Sequence, residues 1–168
     1  MKKEKVILVN KFDRKIGVEE KLKAHVEGKL HRAFSVFLFD KNGKILIQKR
    51  AKKKYHSGGL WANSCCSHPT EGESLKEAVK RRLKEELGVG VKNLKKLGKV
   101  KYKLRVGKLI ENEIDHVFVG KIYGKVKINK NEVEDYKWVE FKDLEKDLKK
   151  NEKKYVPWLK FIIKKLKN

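Results

Sequence analysis

The sequence predicts an α/β or α+β fold in which helices flank a mixed β-sheet. Three patterns lead to this prediction: short apolar runs typical of strands on both sides of mid-chain, one amphipathic helix between them, and helical spacing near the C-terminus. Strands and helices in this order pack as layers around a core. With 168 residues, the chain is long enough for one domain, which we place at residues 1–168.

The first half of the chain contains strand patterns separated by turn signals. Asp13 lies between two apolar runs, which predicts a small hairpin. Asp40-Lys-Asn-Gly43 is a strong signal for a second hairpin turn. A short strand is expected to carry Asn63 to Cys66. The earlier expected strands are residues 6–10, 15–18, 34–39 and 45–50.

The second half begins with the clearest helix of the sequence. From Glu73 to Leu87 the apolar residues recur at helical spacing, and Gly88 is a typical residue to end a helix. Strands and closing helices are expected after it. The strands are predicted at residues 97–105, 113–122 and 136–139, and the helices at residues 143–148 and 152–166.

The composition is strongly basic, with a formal net charge of +23. The lysines are spread along the whole chain, and the aromatic residues are not spaced like an RNA-stacking platform. A solvated basic surface is therefore the first interpretation, selection for an anionic small substrate the second and nucleic-acid binding the third.

Cysteine usage and hydropathy indicate a soluble cytoplasmic protein. Cys65 and Cys66 are adjacent, a spacing that seldom allows a disulfide, so both are expected to be reduced thiols. The N-terminal apolar run is too short for a signal peptide. No apolar stretch approaches the roughly 18 residues of a membrane span.

Two short patterns carry chemical groups. Glu111 and Glu113 would share one face of a strand, as would Cys66 and His68, because side chains two residues apart point the same way. Paired carboxylates repel each other unless a cation or a shared proton lies between them. Imidazoles and carboxylates together suit a divalent ion such as Zn²⁺ or Mn²⁺, although a solvated acidic face is the ordinary alternative.

The helix at mid-chain also carries a motif. Residues 73–89 resemble the Nudix box, matching it at Glu73, Arg81, Leu83, Glu85 and Glu86. Two positions differ: Ser67 stands where the box begins with glycine, and Arg82 replaces a glutamate used in metal-assisted hydrolysis. Because arginine grips phosphate oxygens but cannot accept a proton, this change favours diphosphate binding without hydrolysis.

Together with its flanking motifs, the altered box is similar to that of the type I isopentenyl diphosphate isomerases. The resemblance runs from about Val6 to Trp158, nearly the whole chain. It implies a Nudix-type sandwich and the interconversion of isopentenyl and dimethylallyl diphosphates, a step of isoprenoid biosynthesis. The motifs that carry it are Lys21-Leu-Lys-Ala-His25, Arg50-Ala-Lys-Lys-Lys54, Asn63-Ser-Cys-Cys-Ser-His-Pro69, Glu111-Asn-Glu113 and Tyr155-Val-Pro-Trp158.

The resemblance also implies roles for individual residues. Cys66 and Glu113 would act as the two acid/base groups, with Tyr102 assisting and Trp158 stabilising a carbocation-like species. Trp61 is expected to line the pocket and Trp138 to lie in the core. The implied metal ligands are His25, His31, His68, Glu111 and Glu113, with Glu86 on a second ion, Mg²⁺, that bridges the diphosphate. The implied phosphate contacts are Lys21, Arg50, Lys54 and Arg82.

Further expectations concern cofactors and partners. The site should hold one divalent ion, Mn²⁺ or Zn²⁺, besides the Mg²⁺ of the substrate, and no flavin. We expect no nucleic-acid or membrane partner and a monomer or weak dimer. Two alternatives remain open from the sequence: a Nudix hydrolase of nucleoside or other diphosphates, and an RNA-binding module suggested by the net charge.

Overall fold

The chain alternates strands and helices along its length. The computed structural model describes residues 3–168, so Met1 and Lys2 of the predicted domain lie outside the described residues. The strands are β1 (Lys5–Val9), β2 (Lys15–Glu20), β3 (His31–Phe39), β4 (Ile45–Arg50), β5 (Trp61–Ala62), β6 (Cys65–Ser67), β7 (Gly90–Val106), β8 (Leu109–Tyr123) and β9 (Val133–Val139). The helices are α1 (Lys21–Glu27), α2 (Leu75–Leu87), α3 (Phe141–Lys150) and α4 (Leu159–Ile162), and residues Glu152–Lys154 and Ile163–Lys167 form 3-10 turns.

Strand β3 is the centre of the sheet. It pairs in parallel with β8 over its whole length and antiparallel with β6. Its contacts with β1 and β4 are limited to single residue pairs, so those strands diverge from it to form their own ladders. Strand β4 pairs with β5 and β9, and β7 pairs with β8. The predicted mixed sheet is confirmed.

The two faces of the sheet are covered by different helices. On one face, Val79, Leu83 and Leu87 of α2 pack into a cluster that includes the buried thiol of Cys65. On the other face, Leu144 and Leu148 of α3 and Leu159 and Ile162 of α4 form the second cluster. The helices therefore enclose the sheet from both sides, which confirms the predicted sandwich.

Local sequence signals account for several elements. The turn at Asp40–Gly43 forms as predicted, with the Asp40 carboxylate accepting hydrogen bonds from the amides of Asn42 and Lys44, both at 2.8 Å. Helix α2 begins after Ser74, whose side chain forms a reciprocal capping box with Glu77. Gly88 ends this helix in the left-handed conformation (φ +67°) that glycine adopts without strain.

Two predictions about helices need correction. The continuous helix predicted over residues 152–166 is interrupted, because Pro157 lacks an amide hydrogen and disfavours helical geometry at Val156 before it. Helix α1, which carries His25, was not predicted. Its apolar pattern is inverted: Leu22 and Val26 are exposed, whereas His25 is buried.

A helix that crosses a membrane must be both long and apolar. Among residues 3–168, no helix combines the length and the apolar character needed to cross a bilayer.

Removing the N-cap of α2 tests the local account of this helix. We expect Ser74→Ala to lower the free energy of unfolding by about 1 kcal/mol, because the amide of Glu77 loses its acceptor. Urea denaturation measures the change. The matched control is Lys80→Ala on the exposed face of the same helix, expected within about 0.5 kcal/mol of wild type. An equal effect of both substitutions would contradict the capping assignment.

Candidate active site

A cavity lies where β3, β6 and β8 meet the loop after β4 and the start of α4. Its inner part, about 40 Å³, adjoins an outer cavity of about 470 Å³, and the two share Lys21, Lys54, Tyr55 and Arg82 as lining residues. The predicted site residues that line the inner cavity are Lys21, Arg50, Lys54, Cys66, His68, Arg82, Glu111, Glu113 and Trp158. The remaining ones, His25, His31, Glu86 and Tyr102, contact these lining residues from behind.

The sheet register places Cys66 and Glu113 on either side of β3. Cys66 in β6 pairs with Ser35, and Glu113 in β8 pairs with His31. Because β3 lies between β6 and β8, the thiol and the carboxylate reach one cavity from two different strands. Cys65 points to the opposite face, into the cluster under α2, as strand alternation predicts.

The thiol of Cys66 is held by three polar side chains. Its S–H donates to Asn63 Oδ1 at 2.7 Å, and the indole Nε1 of Trp158 donates to Sγ at 3.3 Å. Ser35 Oγ lies 3.4 Å from the same sulfur. Asn63 is itself fixed, because its Nδ2 donates to the carbonyls of Val36 and Cys65.

The environment keeps this thiol protonated. Burial raises the pKa of Cys66 to about 12, and the nearby carboxyl group of Asp115 acts in the same direction. The structure therefore presents Cys66 as a proton donor at neutral pH. A thiolate forms there only if bound cations or a change in hydration lower the pKa.

Glu113 is the point on which most polar contacts converge. Tyr102 donates to its Oε2 at 2.6 Å, while the Nε2 atoms of His31 and His68 lie 3.1 and 3.0 Å from Oε1. Burial opposes ionisation, but the two imidazoles hold the pKa of Glu113 well below its usual range. Glu113 is thus a buried carboxylate with acceptor capacity toward the cavity.

Asp115 connects the two ends of the site and was not predicted. Its Oδ2 accepts from Ser35 at 2.7 Å and lies 3.0 Å from the Tyr102 hydroxyl. Burial, followed by the charge of Glu113, raises the pKa of Asp115 to about 8. A chain of contacts therefore runs from Cys66 through Ser35, Asp115 and Tyr102 to Glu113. The sequence contained a signal for Asp115, because the alternation of Glu111 and Glu113 continues to it.

Backbone carbonyls orient two of the histidines. His25 Nδ1 donates to the Lys21 carbonyl at 2.6 Å, and His31 Nδ1 donates to the Lys29 carbonyl at 2.8 Å. Each ring therefore turns its Nε2 atom toward the carboxylates. Fixing one ring nitrogen by a carbonyl is the usual way in which proteins set the tautomer of a metal-binding histidine.

These residues fit a divalent metal ion. The ligand atoms of His25, His31, His68 and Glu113 all lie within 4.8 Å of one another. Buried His25 Nε2 has no hydrogen-bond partner within the described part of the chain, which is unfavourable unless a cation occupies its lone pair. Burial also lowers the pKa of His68 to about 4, which leaves the neutral imidazole that a metal requires.

Glu111 occupies the side of this group toward His56. Its Oε2 lies 3.2 Å from His25 Nε2, and its Oε1 lies 2.7 Å from His56 Nε2. His25, His56 and Glu111 form a second group of potential ligands. His56 was missed, since an isolated histidine in a loop has no pattern to reveal it.

The four predicted phosphate contacts line the inner cavity, and three of them pair with acids of the outer cavity. Lys21 contacts Glu4, whereas Lys54 and Arg82 both contact Glu132. Arg50 is buried, and among residues 3–168 it has no acid in contact and its Nε has no hydrogen-bond partner. A buried guanidinium group that no acid neutralises favours the binding of an anion at this position.

Glu86 lies apart from the histidine group. Its Oε1 accepts from Arg82 Nη2 at 2.6 Å, and its Oε2 accepts from Gln48 Nε2 at 2.9 Å. Both carboxylate oxygens are therefore partnered, and Glu86 stands behind Arg82 as seen from the cavity.

The three tryptophans have different environments. Trp158, buried at the start of α4, lines the cavity beside Cys66 and lies 5.6 Å from the Arg50 guanidinium carbon. Trp138 packs against the cluster under α2, in agreement with the prediction. Trp61 does not line the cavity as predicted; the pairing of β5 with β4 directs it to the α3/α4 cluster, where Lys137 covers its ring at 4.5 Å.

Comparisons with known proteins first define the class of the fold. The family model described as NUDIX domain matches residues 29–159. A solved structure, DR0079 from Deinococcus radiodurans, aligns with a TM-score of 0.79 and 19% identity, covering 96% of this chain and 98% of that one. At this identity the structural likeness shows a common fold, and this chain is a Nudix-fold protein.

Curated relatives show which family within the Nudix fold this chain belongs to. Isopentenyl-diphosphate Delta-isomerase 1 of Aromatoleum aromaticum is 47% identical over 95% of this chain and 90% of its own length. Isopentenyl-diphosphate Delta-isomerase of Serratia proteamaculans is 43% identical over 97% of this chain and 91% of its own length. The chain belongs to the isopentenyl-diphosphate Delta-isomerase family, as the sequence motifs indicated.

The raised pKa of Cys66 gives a direct chemical prediction. The chain is first stripped of divalent ions. We then expect the alkylation of Cys66 by iodoacetamide to accelerate about tenfold per pH unit from pH 7 to 9.5, because below the pKa the thiolate fraction rises tenfold per pH unit. The Cys65→Ala variant isolates the Cys66 signal in mass spectrometry. A rate that levels off around pH 9, as for an ordinary thiol with a pKa near 8.5, would contradict a raised pKa.

Proposed function

We propose that this chain interconverts isopentenyl and dimethylallyl diphosphates by adding a proton to the alkene and removing one elsewhere on the allylic unit. The observation that carries the proposal is the placement of Cys66 and Glu113 on strands flanking β3, with both side chains lining one cavity. An acid and a base on two sides of one small cavity are what this chemistry requires.

The charges of the cavity lining support a phosphorylated substrate. Lys21, Lys54 and Arg82 line both the inner and the outer cavity, so a diphosphate held by them would direct its hydrocarbon tail inward toward Cys66 and Glu113. Arg50 adds a buried guanidinium deeper in the site. The small inner volume favours a short branched tail.

The protonation states assign complementary tasks to the two groups. Cys66 carries its proton and Glu113 is ionised, so one can donate while the other accepts. The roles exchange when the reaction runs in reverse. Tyr102, at 2.6 Å from Glu113, orients that carboxylate and assists proton delivery.

Trp158 would stabilise a positive charge in the inner cavity. Its ring is buried at the cavity wall, and its Nε1 donates to Cys66, which fixes the ring relative to the thiol. A desolvated contact between a cation and an indole face contributes about 2 kcal/mol. A charge developing beside Cys66 would lie within reach of this ring.

The metal centre completes the proposal. His25, His31, His68, Glu111 and Glu113 would hold one divalent ion, Mn²⁺ or Zn²⁺, which would supply a fixed positive charge that keeps Glu113 ionised and orders the site. A Mg²⁺ ion would arrive with the diphosphate, with Glu86 and Arg82 close to its position. No flavin is needed for proton transfers of this kind.

Other aspects of the proposal concern the whole molecule. We place the activity in one domain, residues 1–168, acting in the cytoplasm as a monomer or weak dimer without nucleic-acid or membrane partners. The dispersed charge of +23 would then serve mainly to attract anionic substrates.

Hydrolysis of nucleoside or other diphosphates is the competing activity for a Nudix fold. Arg82 counts against it, because a guanidinium that pairs with Glu85 and Glu86 cannot act as a carboxylate ligand or base. Incubation with Mg²⁺ and a nucleotide panel distinguishes the two: rapid phosphate or monophosphate release would favour hydrolysis.

Removing either acid/base group tests the proposal. We expect Cys66→Ser and Glu113→Gln each to slow isomerisation by about 10²–10⁴-fold, because proton transfer loses one positioned partner. Turnover of isopentenyl diphosphate, followed by product chromatography, measures the rate, and circular dichroism checks the fold. Cys65→Ala, on the opposite face of β6, is the matched control and should keep its activity. Near-normal turnover of Cys66→Ser would refute the proposed proton chemistry.

A further inference from the structure

The side chain of His56 lies against the proposed metal centre although no sequence motif points to it. Its Nε2 atom is 2.7 Å from Glu111 Oε1, and the side chain is only 8% exposed. The other oxygen of Glu111 lies 3.2 Å from His25 Nε2. The Glu111 carboxylate therefore stands between two imidazoles: His25, which belongs to both groups of potential ligands, and His56, which belongs to the second group alone.

The loop after β4 is shaped to bring His56 to this position. The next residue, Ser57, adopts a left-handed conformation (φ +51°) that non-glycine residues rarely take. At Gly58 a Cβ atom would lie 2.6 Å from the Lys52 carbonyl oxygen, so only glycine fits. Hydrogen bonds between Arg50 and the Gly59 and Leu60 backbones close the loop. These constraints restrict the conformations open to the loop.

Three contacts fix the His56 ring and its backbone. The ring meets Tyr55 edge-on at 4.2 Å and Trp158 edge-on at 5.6 Å between centroids. Arg50 Nη2 donates to the His56 carbonyl at 3.3 Å. Unlike His25 and His31, His56 has no hydrogen-bond partner on Nδ1 from any residue that the structure describes. Its close polar contact is therefore the one with Glu111.

We infer that His56 is a positioning residue of the metal centre: the 2.7 Å contact of its Nε2 atom with Oε1 of Glu111 holds this carboxylate so that Oε2 faces the metal group at His25. Metal-binding carboxylates are usually held in orientation by an outer polar group of this kind. The inference rests on the metal centre of the proposed function and not on the isomerisation reaction.

The same loop connects the metal centre to the anion site. Lys54 lies two residues before His56, Arg50 contacts the His56 carbonyl, and both basic residues line the cavity. A fixed Glu111–His56 contact therefore also fixes the loop that presents these cations. Ion binding and diphosphate binding should then strengthen each other by the same factor.

Metal retention separates a polar role of His56 from a packing role. In the experiment, the chain loaded with Mn²⁺ or Zn²⁺ is titrated with a competing chelator. We expect His56→Phe, which keeps a ring against Tyr55 and Trp158, to lose affinity about 10–100-fold. We expect His56→Gln, whose amide can still donate to Glu111, to lose much less. The opposite order would show that the ring serves packing and would overturn the inference.

A matched control is available in the same chain. His116 is also buried, with Nε2 2.8 Å from the Asp13 carboxylate, but it does not line the cavity. His116→Phe should leave metal affinity unchanged. Should His56→Phe fail to fold, His56→Asn takes its place with the same expectation, because its amide is too short to reach Glu111.

Controls also separate this inference from the metal centre itself. A wild-type chain that retains no ion would contradict the metal centre and the inference together. Equal affinity in wild type and His56→Phe, with loss in His31→Ala, would contradict the inference alone. The coupling is measured as the ratio of the affinities for inorganic diphosphate with and without the metal ion. We expect His56→Phe to reduce this ratio, and an unchanged ratio would refute the coupling.

Discussion

The parallel pairing of β3 with β8 is the constraint on which the site depends. Its register sets His31 opposite Glu113, and β6 on the other edge of β3 sets Cys66 opposite Ser35. A slip of one residue would turn Glu113 away from the cavity, because strand side chains alternate between faces. The hydrophobic clusters on both faces oppose such a slip, so packing of the core and geometry of the site are fixed together.

Burial of so many ionisable groups would be costly without their mutual contacts. His25, His31, Glu111 and Glu113 are all nearly inaccessible to solvent. Each contacts at least one group of opposite or complementary character, yet some buried nitrogen and oxygen atoms keep no hydrogen-bond partner. A polar cluster in this state is favoured for binding a cation and disfavoured as a mere structural element.

Local patterns revealed much of the fold because they depend on neighbouring residues. The turn at Asp40–Gly43 and helix α2 follow from residue types within a few positions, and both form as predicted. Pro157 is a residue that typically interrupts a helix, so the interruption of the last helix was predictable from the sequence. Helix α1 escaped prediction because it exposes Leu22 and buries His25, the reverse of ordinary amphipathic spacing.

The site was less accessible to pattern reasoning than the fold. Glu111 and Glu113 could be placed on one strand face, but their approach to His25 and His31 depends on pairing between distant strands. The family resemblance therefore supplied most site residues. It did not supply His56, whose position depends on the conformation of one loop.

The most direct test of the account follows hydrogen exchange with solvent. Isopentenyl diphosphate is incubated in D₂O with the Mn²⁺- or Zn²⁺-loaded chain and Mg²⁺, and the recovered diphosphates are analysed by mass spectrometry and NMR. Proton addition and removal at the carbon skeleton predict deuterium in the five-carbon units, with the diphosphate intact. Phosphate release without deuterium in carbon–hydrogen bonds would contradict the account.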